Sequence, residues 1–493
     1  MTEYRELKQR LAQGWNTWNT RSVLSHVLLP DGFALNLGLK EYSSGSYLKE
    51  ALIGRQGPDA ECIRPGPRSY DGRYTELELN WRGVDLLVQS VAEGDDLALL
   101  VTPRSSHRRT PLLVVEAGIL WNRAGSVTRD GGSLSGHTPG RTIAVHATRE
   151  CAIEPYVDAQ TPYLALPLDG PVGVTAGAKR SLTEIQTAVA SRRAEQRAAH
   201  AAFGDLADVH AAIQTSLAWD TVYEPLRDRV LSPVSRVWNC GAGGYRIFCW
   251  DNYFAAYLAS IDNKDLAYAN AIEITRERTD EGFVPNFATA TGFASRDRSQ
   301  PPVGSLVARE LYRRFRERWL LEELFDDLLT WNRWWPRRRC SQGTLSWGSD
   351  PYEPAVGDYW ESAGVGERFG AALESGLDNS PMYDDVPFDT ALHQMALADV
   401  GLNSLYVADC HALADLAAIL GRDAESAELT ARAMQFAGSL AGLWSEERGI
   451  FLNRRKDTGQ FSLRLSPTSL YPLLARVPTQ AQAERMVNEH FYN

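Results

Sequence analysis

The chain has 493 residues, with 51 basic and 62 acidic side chains and a net charge of -11. That length exceeds one ordinary core and predicts two domains, each able to bury enough apolar surface to fold without disulfide staples. The acidic balance argues against a nucleic-acid or anionic-membrane binder and favours a neutral or polar partner.

The N-terminal stretch MTEYRELKQRLAQGW lacks the apolar run of a signal peptide, and no uninterrupted apolar segment is long enough to span a bilayer. The expected location is the cytoplasm. Trp15 and Trp18, three apart in GWNTWNT, are expected to seal an interface between domains, with a lid over a pocket as the alternative.

Up to about residue 180 the chain reads as strands. YTELELNW, VDLLVQSV and DLALLVTP alternate or are wholly apolar, and the turn pairs Asp71-Gly72, Arg82-Gly83 and Glu93-Gly94 separate them. PLLVVEAGILW and RTIAVHAT continue the pattern. Many short strands with frequent turns need a second sheet over their apolar face, so residues 1–180 are expected to form an antiparallel β-sandwich.

The period then changes. From Thr183, TEIQTAVASRRAEQRAAHAAF is rich in alanine and opens with a Thr/Glu capping pattern, which predicts a linker helix over 181–204. Residues 205–493 are mostly helical. LLEELFDDLLTWNRWW places Leu320, Leu324, Leu328 and Trp331 on one stripe, and GLNSLYVADCHALADLAAIL does the same with Leu402, Leu405, Leu413, Leu416 and Leu420. No period of 20 to 50 residues marks a common solenoid. Unequal helices joined by long, motif-bearing loops suggest a helical toroid whose loops build a pocket at one end.

Six cysteines, at positions 62, 151, 240, 249, 340 and 410, lie far apart with no CxxC pair. They predict reduced, individually buried thiols and neither a disulfide framework nor a metal site, and no cofactor is implied. The 14 Trp and 19 Tyr are more telling. Many sit beside Gly, Asp, Asn and Pro, as in GWNTWNT, FCWDNYF, LSWGSDPYEP and GDYW, where they suit a concave surface. A pyranose shows C–H groups on its faces and hydroxyls round its rim, so flat rings beside short polar groups suit sugar.

Three loop segments carry candidate chemistry. In GGYRIFCWDNYFAAYLAS, Trp250 and Asp251 open a helix. Asp251 reads as an N-cap, but the cluster of Tyr245, Phe248 and Trp250 before it also fits a clamp for a sugar hydroxyl and ring face. In FASRDRSQPPVGSL, Pro301 and Pro302 fix Gln300 at a helix entrance, able to donate and accept. In ALESGLDNSPMYDD, too rich in Gly, Pro and Ser for a helix, Asp378 lies close to Glu374. Desolvation and a like charge both raise a carboxyl's pKa, as a general acid in glycoside hydrolysis requires. An Asx-turn would also account for this composition.

Together, in this order and approximate spacing, FCWDNYFAAYLAS, SQPPVGSL and ESGLDNSPMYD resemble glycoside hydrolase family 63 and its relatives, the bacterial glucosylglycerate and mannosylglycerate hydrolases. The family 37 trehalases, with a similar Glu-Ser-Gly-x-Asp element, are more distant. The resemblance spans about residue 215 to the end. It implies an (α/α)6 barrel behind the β-sandwich and inverting hydrolysis of an α-glucosidic or α-mannosidic bond in a small carbohydrate substrate. By position it implies Asp378 as general acid, Trp250 and Asp251 as holders of the innermost sugar, and Gln300 near the leaving group. Glu374 and Asn379 would shape the same pocket, with Trp347 as a further wall aromatic, and Tyr245 of the cluster before Asp251 is expected to bind substrate with them.

One part of the pattern is missing. An inverting enzyme needs a second carboxylate across the pocket, about 6.5 to 9.5 Å from the acid, and in the relatives it arrives on a late loop. Residues 205–493 have room for about eight or nine helices where a closed toroid needs twelve, so the toroid is expected to be incomplete and the base to lie beyond residue 493. Glu446 and Glu447 read as a solvated turn, and Glu484 and Glu489 as a polar helix face, so none replaces it. A carbohydrate-binding protein that kept the pocket without the chemistry is the alternative. A helical repeat adaptor is disfavoured, because three unlike aromatic loops are not a repeating face.

Overall fold

The computed structural model describes residues 2–241, 244–352 and 364–492. Gly243 and the GDYW stretch with Tyr359 and Trp360 lie outside the described residues. The chain divides into two compact units, Met1–Arg246 and Ile247–Asn493.

In the first unit two antiparallel sheets share one core. One sheet runs in the spatial order Gly14–Asn16, Ser25–Leu29, Phe33–Lys40, Leu112–Ile119 and Tyr163–Pro167, with Tyr47–Leu48 on the side of Phe33–Lys40. The other runs Ser126–Asp130, Ser133–Thr138, Arg141–Ala147, Val172–Ala176, Asp96–Pro103, Val84–Glu93, Tyr74–Trp81 and Cys62–Arg68. The period-2 reading holds in detail. Leu77, Leu79, Leu86, Val88, Leu97, Leu99 and Val101 point inward and meet Leu35, Leu37, Leu113 and Val115 of the facing sheet. The Arg82-Gly83 turn pairs Trp81 with Val84, and both turn residues take positive φ, 49° and 80°. Such a turn matches the right-handed twist of the strands it joins.

Part of the outward face of the second sheet is covered by a helix. Tyr74, Val91, Ala98 and Leu100 form a separate small core with Ile185 and Val189 of the helix Leu182–Ala201. The helix expected as a linker therefore lies on the sheet, within the first unit, where burying each aliphatic side chain contributes about 1.5–3 kcal/mol. Its capping box is built by Ser181 with Glu184, not by Thr183. Trp15 is a core residue of this unit: its indole N–H donates to Asp95 O at 2.7 Å and its ring meets Phe33 edge-on.

The second unit is built of helical hairpins. Cys249–Ala259 packs on Lys264–Arg276, Gly304–Phe315 on Arg318–Arg339, and Val400–Leu420 on Asp423–Ala441. The stripe Leu320, Leu324, Leu328, Trp331 is buried, as are Leu402, Leu405, Leu413 and Leu416, while Leu420 is half-buried. Pro336 falls inside the long helix, where it removes the N–H that would bond to the Asn332 carbonyl. The Tyr406 hydroxyl donates to that carbonyl instead, at 3.1 Å. The Asn332 side chain donates to Asp409 at 2.8 Å, and Asp409 also accepts the Ser305 N–H at 3.2 Å, so one buried carboxylate ties three helices together. All six cysteines are free, but only Cys249 and Cys410 are buried, which corrects the expectation for the other four. Among the described residues no helix is long and apolar enough to cross a membrane.

Candidate active site

The segment ALESGLDNSPMYDD is more ordered than its composition suggests. Ala372, Leu373 and Glu374 close a short helix, Arg368–Glu374, with Ser375 as its C-cap. Gly376 follows at φ +67°, the left-handed position that glycine fills most cheaply after a helix. A turn closed by the Ser380 N–H on Leu377 O, 2.9 Å, carries Asp378 and Asn379, and Ser380 then caps the single turn Pro381–Tyr383. Gly376 is closely packed. A Cβ there would lie 2.5 Å from Cζ2 of Trp250, so the turn is seated against the indole.

Trp250 and Asp251 stand in the first turn of the helix Cys249–Ala259, whose N-cap is Phe248, so Asp251 is not the cap. Asn252 reaches back to accept the Phe248 N–H at 3.2 Å. Gln300 is buried and accepts the Trp250 backbone N–H at 3.2 Å, satisfying one of the orphan donors of that helix end. The two prolines after it precede the helix Gly304–Phe315. Gln300 thus sits at the mouth of the Trp250 helix as well as before its own.

Asp378 is exposed, and so is Asn379 beside it. Desolvation nevertheless raises the Asp378 carboxyl above the usual range, with the Arg298 guanidinium pulling the other way. Asp251 is raised further, to about 6, by burial and by the negative charge of Asp378, with the indole N–H of Trp250 acting in opposition. The like charge acts from Asp378 on Asp251; Asp378 itself is raised by desolvation alone, and not by Glu374 as expected. Two neighbouring carboxyls that resist double ionisation can hold a proton where an isolated aspartate would not.

Glu374 has another occupation. It has no exposed surface, and its two oxygens accept four bonds: Arg339 Nε at 2.8 Å, Arg339 Nη2 at 3.0 Å, the Ser299 N–H at 3.0 Å and the Gly348 N–H at 2.6 Å. Burial pushes its carboxyl up and the Arg339 guanidinium opposes that rise. Arg339 is equally saturated: its remaining donors reach Asp350 Oδ2 at 2.9 Å, Asp297 O at 3.1 Å and Arg338 O at 3.4 Å. Glu374 therefore has no acceptor left for a sugar hydroxyl. It anchors the helix end that carries Gly376 and Asp378.

Trp347 is buried, packed edge-on against Trp335 at 6.0 Å, in the environment of the N-cap carboxylate Asp399, which burial raises to about 6. That is a core position rather than the wall expected of it. Tyr245 belongs to the first unit, buried with its hydroxyl accepting from Arg229 at 2.6 Å. The structure thus brings Trp250, Asp251, Gln300, Gly376 and Asp378 together. Sequence reading missed Arg339, the third of three consecutive arginines. Nothing in that run says which one turns inward.

The family model for the mannosylglycerate hydrolase MGH1-like glycoside hydrolase domain matches residues 244–491, half of the chain. Among solved structures, the chain is similar to a GH63 mannosylglycerate hydrolase from Thermus thermophilus in complex with glucose, at 21% identity, covering 50% of this chain and 68% of that one with a TM-score of 0.40. It is also similar to the neutral trehalase from Saccharomyces cerevisiae, at 18% identity, covering 51% of this chain and 54% of that one with a TM-score of 0.42. A bacterial glucoamylase complexed with acarbose is similar at 11% identity, over 89% of this chain and 68% of that one, with a TM-score of 0.41. No curated protein sequence matches the chain.

Proposed function

Since the chain belongs to the mannosylglycerate hydrolase MGH1-like glycoside hydrolase family, we propose that it hydrolyses an α-glucosidic or α-mannosidic bond of a small saccharide or glycoside, with inversion. Asp378 is the general acid, and its proton goes to the departing glycosidic oxygen. Asp251 and Trp250 hold the sugar by a hydroxyl and a ring face, Asn379 lies beside the acid, and Gln300 orients the Trp250 helix end. The (α/α)6 toroid and a cytoplasmic location belong to the same reading.

The observation that carries it is the seating of the Asp378 turn against the Trp250 indole, with the Asp378 carboxyl raised by desolvation. A protonated carboxyl next to an aromatic platform is what protonation of a leaving oxygen requires. The test is an assay of glucosylglycerate, mannosylglycerate and α-linked disaccharides, with the anomer of the released sugar read by proton NMR. Release of the β-anomer supports inversion. Activity unchanged in Asp378→Asn rejects the acid.

A second reading is sugar binding without turnover. It is favoured by the engagement of the C-terminal carboxylates: Glu446 and Glu489 pair with Arg485 at 3.1 and 2.9 Å, and Glu484 accepts from Gln480 at 2.9 Å. Calorimetry showing saccharide binding with no release of free sugar would select it.

A further inference from the structure

In the first unit a cavity of about 440 Å³ opens at one end of the two sheets. It is lined by Glu41, Tyr42 and Ser43 after one strand, Arg82 and Val84 at a hairpin, and the loop residues His107, Arg108, Arg109 and Pro111 between strands of different sheets. The volume lies in the range of small-molecule sites, about 300–1,000 Å³.

Its charge is one-sided. The single acid of the lining, Glu41, is turned to its own loop: it accepts the Ser43 N–H at 2.6 Å and the Ser44 N–H at 3.2 Å, together with both serine hydroxyls. Although burial works against ionisation, those bonds from Ser43 and Ser44 bring its carboxyl down to about 2. Arg82 is oriented by Asp59 at 2.6 Å and Ser44 at 3.2 Å. Arg108 and Arg109 form no ion pair and no hydrogen bond among the described residues. Other arginines of this unit do find carboxylates: Arg104 with Glu78, Arg141 with Asp31 and Asp95, and Arg193 with Glu76. In a chain with more acids than bases, the consecutive Arg108 and Arg109 at a cavity whose one carboxylate, Glu41, is turned to its own loop have the chemistry to take an oxyanion.

We propose that this cavity binds a small organic anion through a carboxylate or phosphate group, held by Arg108 and Arg109 with Arg82 as the fixed third cation. The experiment is isothermal titration calorimetry of the full chain at low ionic strength with inorganic phosphate and, separately, citrate. Arg108→Ala/Arg109→Ala is compared with Arg64→Ala, an exposed arginine outside the cavity. The expected result is saturable binding of at least one anion that weakens about tenfold or more in the double variant and is unchanged in Arg64→Ala. Binding of phosphate alone identifies a phosphate ligand, and binding of citrate alone a carboxylate. Absence of saturable binding, or equal binding by the double variant with unchanged circular dichroism, overturns the proposal. Neither outcome bears on hydrolysis at Asp378.

Discussion

Gly376 lies against the indole of Trp250 so closely that an added Cβ would stand 2.5 Å from Cζ2. This contact couples the turn bearing Asp378 to the helix bearing Asp251. Gly376→Ala adds both that overlap and a left-handed φ, which costs a non-glycine residue about 1–2 kcal/mol before any clash. Denaturant midpoints should fall accordingly, and turnover should fall with the displaced turn. A variant with unchanged stability and turnover would show that the turn tolerates another seat.

Removal of the acid is the direct test of chemistry. Asp378→Asn keeps the shape and loses the proton, so kcat should drop about 10²–10⁴-fold while circular dichroism stays unchanged. Glycosides with a good leaving group should be less affected, because they need less protonation. A uniform loss across leaving groups would count against the acid role.

Desolvation of the Asp378 carboxyl sets a pH dependence with a definite sign. A general acid works protonated, so activity is lost as pH rises through its raised pKa. The rise at Asp378 comes from desolvation and not from Asp251, so in Asp251→Asn the basic limb of the kcat/KM profile should stay in place while kcat/KM falls with the lost sugar contact. A limb that moves to lower pH would mean that Asp251, and not desolvation alone, holds the proton on the acid.

The Arg339–Glu374 pair has no exposed surface on either partner. Arg339→Met leaves a buried carboxylate with only backbone donors and should cost about 3–5 kcal/mol, read from urea midpoints. The surface pairs of Arg464 with Asp384 and Asp385, at 3.5 and 3.2 Å, are solvated, and Arg464→Ala should cost about 0–1 kcal/mol. Comparable losses in the two variants would contradict the anchoring role.

Burial raises Asp409 to about 6, against opposition from Asn332 and Ser305. The folded state therefore keeps a proton that the unfolded chain releases near the ordinary aspartate value. Its contribution to stability is full below that value and is lost as pH rises through about 6. Relative to Asp409→Asn, the wild-type chain should lose stability between about pH 4 and 7. A flat difference across that window would refute the raised value.

Sequence determined the elements whose period is imposed by burial on one face. YTELELNW and DLALLVTP occupy their expected strands because Leu77, Leu79, Leu97, Leu99 and Val101 recur at period 2 on the face that fills the main core. The leucine stripes of the two long helices went inward for the same reason at a helical period. It also brought Trp250, Asp251 and Asp378 to notice, because aromatic and acidic residues beside turn formers have few purely structural uses. Only the tertiary structure decided what each acid does. Glu374 and Asp378 share one short motif, yet Arg339 reaches the first and leaves the second, since the helix end at Glu374 points one carboxyl into the protein and Gly376 turns the next out toward Asp251. It likewise placed Trp347 in the core and the helix Leu182–Ala201 on a sheet. Such choices depend on which surfaces meet across long sequence separations, and local spacing carries no record of them.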